Sequence, residues 1–137
     1  MAALRTIAVG YDGSPDSEVA LRWAAELAMS VGAHMVVVHA VGLLEGAELS
    51  GHRPDATAAL EITSSVGLEP ELVQWRALDG DPCSVLLRAA DPPTSADLVV
   101  VGTRGAGEHS GTLLGSTSLE LAETTATPLV IVPTANA

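Results

Sequence analysis

Two stretches of the 137-residue chain hold residue types whose spacing could do chemistry. The first is Asp12, just past the short apolar run Thr6 to Gly10 and followed by Gly13 and Ser14. A carboxylate there can accept hydrogen bonds from ribose hydroxyls or an exocyclic amine, or help hold a divalent ion that also binds phosphates. Asp-Gly-Ser ahead of a helix is equally an ordinary turn and capping sequence. The second stretch runs from Gly102 to Ser116, with further glycines at 105, 107, 111 and 115. Between a strand and a helix, glycine lets backbone approach a ligand where a Cβ would collide, and positive φ values turn successive N–H groups into an anion-binding nest. Gly115-Ser116 then opens a helix whose free N–H groups favour phosphate, with Ser116 and Ser118 as hydroxyl donors. The alternative is an ordinary surface loop, where glycine collects anyway. Gly105-Ala-Gly107 begins a dinucleotide fingerprint, but Ser110 stands where the third glycine belongs, and the fingerprint follows a first strand.

Composition removes several other chemistries. The chain has six Arg, no Lys and seventeen Asp plus Glu, for a formal net charge of −11. That field repels nucleic acid and anionic lipid. A Walker P-loop and a phospho-accepting receiver domain each need a lysine, so both are excluded. With Tyr11, Trp23 and Trp75 as the whole aromatic complement, base-stacking platforms are unavailable and the core must be aliphatic. One cysteine, Cys83, forms no intramolecular bridge, and the N-terminus carries no targeting signal. The expectation is a soluble cytoplasmic protein folding as one domain over residues 1–137.

The elements that must position these residues are read from periodicity. Strands are predicted at Thr6–Gly10, His34–Val41, Glu71–Ala77, Asp97–Val101 and Pro128–Pro133. Helices are predicted from Pro15 to a Gly32 cap, from Asp55 to Val66, from Pro82 to about Ala90 and from Ser116 to Thr125. The first carries an apolar stripe of Val19, Trp23, Leu27 and Val31, from which Trp23 is expected in the core. The alternation βαβαβαβαβ favours an α/β fold of three layers, a five-stranded parallel sheet with right-handed crossovers and helices on both faces. In such a sheet ligands bind beyond the carboxyl ends of the strands, where strand order reverses. His39 is expected to be a satisfied core or strand-end histidine, Cys83 an apolar packing residue, Trp75 a packed residue of the edge strand, and His34 and His52 solvated.

With these features together, the chain resembles the universal stress protein family over nearly its whole length. Asp12-Gly13-Ser14, the strand ending in His39-Ala40-Val41, Gly80-Asp81-Pro82 and Asp97 to Gly105 follow that family's order. Gly102, two residues, Gly105, nine residues, then Gly115-Ser116 is similar to the spacing of its ATP-binding branch. The resemblance implies strand order 3-2-1-4-5. It also implies an adenosine pocket lined by Asp12 and Ala40, a ribose and phosphate track along Val101, Gly102 and Gly105, and a phosphate end at Gly115, Ser116 and Thr117. Its further implications are a homodimer through Leu129 to Val132 and a dimeric, ATP- and Mg²⁺-binding sensor or regulator with at most slow hydrolysis. Glu108 sits in a nine-residue segment without Arg or Lys, and one like-charge pair about 6 Å apart at an effective dielectric of about 20 costs on the order of 2–3 kcal/mol. Arg104 and the titratable His109 are the nearby positive groups, so either magnesium supplies charge or binding is weak. Two other readings stay open: a nucleotide-free dimeric interaction module of the same fold, and a nucleotide-hydrolysing or nucleotide-transferring enzyme of the related α/β group.

Overall fold

The computed structural model describes residues 4–41, 56–103 and 115–134. The elements are β1 (Thr6–Gly10), α1 (Pro15–Val31), β2 (His34–Val41), α2 (Ala56–Val66), β3 (Val73–Asp79), α3 (Pro82–Leu87), β4 (Leu98–Gly102), α4 (Ser116–Thr124) and β5 (Leu129–Val132). Short 3-10 turns at Pro70–Leu72 and Arg88–Ala90 precede β3 and follow α3. The five strands form one parallel sheet in the order β3-β2-β1-β4-β5. β3 begins two residues later than its predicted start at Glu71, because Pro70 opens a 3-10 turn whose carbonyl accepts from Val73 N–H.

Two apolar layers follow from the two-residue period of the strands. Ile7, Val9, Met35, Val37 and Val100 face the core under α1, with Ala59 of α2 in the same cluster. Ala8, Val36, Val38, Val99 and Val101 face the opposite layer, built with Val85 and Leu86 of α3 and Leu121 of α4. Strands with both faces covered read as unbroken apolar runs, which is why β2 and β4 are so plain in the sequence.

α1 starts where Ser14, in an extended conformation, accepts from Ser17 N–H, with Pro15 as the first helical residue, and it ends at Gly32 with φ +74°. Its buried face is Ser17, Ala20, Leu21, Ala24, Ala25 and Ala28. Trp23, expected in the core, is instead 38% exposed, and Val31 of the same stripe is 46% exposed. The alanines let the helix backbone lie close to the sheet, and the wider apolar stripe turns to its flank. Asp97, just before β4, accepts from the N–H groups of Arg5 and Thr6 at 3.0 and 3.1 Å, tying the entry of β1 to that of β4.

Candidate functional site

β1 and β4 are neighbours in the centre of the sheet, yet the chain leaves β1 for α1 on one face and β4 for α4 on the other. Such a reversal is where open α/β sheets place a ligand crevice, beyond the carboxyl ends of the strands. Tyr11 N–H donates to Val38 O at 3.0 Å, carrying the β1–β2 ladder one residue past β1 and setting Asp12 at the rim. Asp12 is half-buried; its Oδ1 accepts from Ser14 N–H at 2.9 Å and its own N–H donates to Ser17 Oγ at 3.3 Å. The turn function of Asp-Gly-Ser is therefore in place, with Gly13 at φ +84°.

Ala40 lies at the end of β2 and Val101 in β4, both against the α3 and α4 layer. Gly10 of β1 pairs with Val38, two residues before Ala40, and a Cβ there would come 3.0 Å from Leu86 Cδ1 and 3.3 Å from Val101 Cγ1. Gly102 has a sharper constraint. A Cβ at this position would lie 2.6 Å from the Asp16 carbonyl oxygen and 2.9 Å from its carbon. Gly102 lets the first turn of α1 press onto β4, so its lack of a side chain serves packing between elements of the chain, a use the expectation of ligand approach did not include.

Thr103 gathers the phosphate end of the expected site. Its carbonyl accepts from Gly115 N–H and, at 3.0 Å, from Ser118 Oγ. Its hydroxyl donates to Asp16 Oδ2 at 3.1 Å, and Asp16 Oδ1 accepts from the hydroxyl of Thr134, beyond β5. Ser118, anticipated as a phosphate donor, is buried and spends its hydroxyl on Thr103 and Gly115 carbonyls. Gly115 is the N-cap of α4, among the described residues no side chain caps this end, and Ser116 and Thr117 form its first turn. Such a helix start offers backbone N–H groups and a positive dipole end. Gly105, with Arg104, Glu108 and His109, lies outside the described residues.

A family model described as the universal stress protein family matches residues 3–133. The chain belongs to that family. It is 32% identical over 133 residues to universal stress protein Rv2005c of Mycobacterium tuberculosis, covering 91% of this chain and 44% of that protein. It thus spans about half the length of that relative. A Thermus aquaticus universal stress protein is 30% identical over 138 residues, covering 93% of this chain and 98% of the relative. A solved universal stress protein in complex with cAMP superimposes with a TM-score of 0.73 at 28% identity, covering 96% of this chain and 98% of that one.

Within this universal stress fold, sequence reasoning missed the residues that hold the site together. Asp16, in the first turn of α1, belongs to no motif that would single it out. Thr134 gave no signal. His39 is buried as expected, with Nδ1 3.2 Å from the Tyr11 carbonyl and its ring stacked on Trp75 at 5.9 Å. A carbonyl only accepts, so Nδ1 carries the proton. Burial pushes the Cys83 thiol up, with Glu120 adding to the effect, so this thiol is a packing group as expected. Asp81 caps α3, and the Ser84 N–H and hydroxyl lower its carboxyl below the ordinary value. Among the described residues no three His, Cys, Asp or Glu come together as a metal site, and no helix is long and apolar enough to cross a membrane.

Proposed function

We propose that this universal stress protein binds an adenine nucleotide at the β1/β4 crevice, with ATP and Mg²⁺ as the ligand, and works as a homodimeric cytoplasmic sensor or regulator. In this reading Asp12 and Ala40 line the adenosine side, Val101, Gly102 and Gly105 follow the ribose and phosphates, and Gly115, Ser116 and Thr117 hold the phosphate end. The observation that carries it is the start of α4, whose N-cap Gly115 makes no side-chain cap bond and is held by Thr103 at the carboxyl end of β4, the strand beside β1 and its Asp12. That arrangement supplies anion affinity from backbone N–H groups, which is what a chain without lysine requires. The related structure solved with cAMP supports an adenine nucleotide in this fold. Mg²⁺ fits as a companion of the phosphates, keeping its water ligands, with Asp12 as the carboxylate that would help hold it. In this reading hydrolysis is slow at most. β5 is an edge strand with an uncharged sequence, and pairing with a second β5 makes the dimer.

Calorimetry on nucleotide-free protein tests this reading. MgATP is expected to bind with sub-millimolar affinity and Asp12→Ala to weaken it at least about tenfold, about 1.4 kcal/mol; no heat at millimolar ligand refutes the proposal. AMP and cAMP titrated alongside give the phosphate preference. A second reading, the nucleotide-free dimeric interaction module, is favoured by one fact: packing alone accounts for Gly102, and capping alone for one oxygen of Asp12.

A further inference from the structure

The flank of α1 that carries Trp23 has no role in the crevice. Helical geometry of 100° per residue divides the surface of α1 into two sides. One is marked by Arg22, which donates to Ser65 of α2 at 3.1 Å, and by Met29, whose methyl would lie 3.4 Å from a Cβ at Gly67. The other is marked by Asp16, which reaches Thr103 after β4 and Thr134 after β5. Trp23, Leu27 and Val31 fall within about 60° of the Asp16 direction, whereas Arg22 and Met29 lie about 120–140° away. This apolar row therefore runs along the side of α1 that overlooks β5.

The heights agree. Trp23 is seven residues below Asp16, about 10.5 Å at 1.5 Å per residue, and Ile131 is three residues below Thr134, about 10 Å along a strand. α1 runs opposite to the strands, so Trp23 comes level with the middle of β5. Val130 of β5 packs against the same core cluster as Leu27. Trp23 and Val31 are 38% and 46% exposed.

We infer that Trp23, Leu27 and Val31 form the second strip of a two-fold interface with another copy of this chain, next to β5. The inference rests on the β5 pairing proposed above. Area favours it: β5 has four residues, about 13 Å of strand in a sheet about 10 Å deep, a small part of the ~800 Å² per partner usual in stable complexes. Charge bears on the occupant. Each copy carries −11, yet neither Leu129–Val132 nor the Trp23, Leu27, Val31 row contains a charged residue; Glu26 stands to one side of Trp23, and the Asp16 carboxylate above the row is already bonded to Thr103 and Thr134, so two acidic chains meet here on apolar side chains. A two-fold axis through paired β5 edges places the two rows on the same face of the joined sheet, flanking the axis, with each Trp23 directed at the partner's α1.

Sedimentation equilibrium and Trp emission test this. In Trp75→Phe, Trp23 is the one tryptophan; its emission is expected to shift to the blue as protein concentration passes through the dimer constant. Trp23→Glu is expected to raise that constant at least tenfold while leaving the circular dichroism spectrum and MgATP affinity unchanged. An emission maximum independent of concentration across a monomer–dimer transition, or a Trp23→Glu protein that dimerises like wild type, overturns the inference while β5 pairing stands. A wild-type chain that is monomeric at every concentration overturns both, and an Ile131→Lys variant that dimerises normally overturns the β5 reading.

Discussion

Gly102 shows how one position carries a demand that its surroundings impose. The hydrogen in place of a Cβ lets the Asp16 carbonyl approach the end of β4, and the closest neighbour of an added methyl would be backbone, which cannot swing aside. Gly102→Ala is therefore expected to lower stability by about 1–3 kcal/mol, the usual scale of overpacking. Urea unfolding with an unchanged m-value is the measurement, and an unaltered midpoint would show that α1 moves off freely. His39 and Trp75 carry the same lesson at lower cost: an expected packed histidine turns out to hold a specific carbonyl, that of the residue before Asp12.

At the scale of elements, caps decide where helices begin. Asp81 accepts from Ser84 N–H at 3.1 Å and from Ser84 Oγ at 2.8 Å, so its carboxyl is lowered from 3.8 in the folded chain. The sign follows from linkage. The ionised form is favoured by folding, so its contribution is fully present above the unfolded pKa and is lost as pH falls through the lower folded value. An Asp81→Ala variant is thus expected to be less stable than wild type at neutral pH, the gap closing as pH drops below 3.8; denaturant melts at several pH values would follow it. α1 illustrates a second rule. Five of the six residues on its buried face are Ser or Ala, with Leu21 the one large side chain, and the apolar stripe that periodicity assigns to a core turns to the flank over β5.

The whole molecule is an acidic body on an aliphatic core, with −11 net charge and no lysine to offset it. Self-repulsion of that size is screened over about 10 Å at 0.1 M salt. Thermal melts in 0.05 and 0.5 M sodium chloride are expected to show a higher midpoint at the higher salt, and the dimer constant is expected to fall in parallel. A salt-independent midpoint would mean that the carboxylates are spaced widely enough to ignore one another. The same charge bears on the proposed ligand: in that reading a small anion is held by N–H groups and a helix end at one confined place, while the −11 field disfavours an extended polyanion.

The sequence by itself determined the order of elements, because buried parallel strands, Ala-rich helices and their caps are local features with local signatures. Thr6–Gly10, the Ser14 cap, Gly32 and His34–Val41 could be read to the residue for that reason. The family, and with it the 3-2-1-4-5 order, was legible in Asp12, Gly102 and Gly115-Ser116. Only the tertiary structure decided which side chains spend their hydrogen bonds on the protein itself. Asp16, Thr103, Ser118 and Thr134 meet across separations of up to 118 residues, and no periodicity encodes such a meeting. The tertiary structure likewise decided that Trp23 faces outward. Burial depends on what packs above a stripe as well as on the stripe, and over β5 the described chain supplies no further helix on that face.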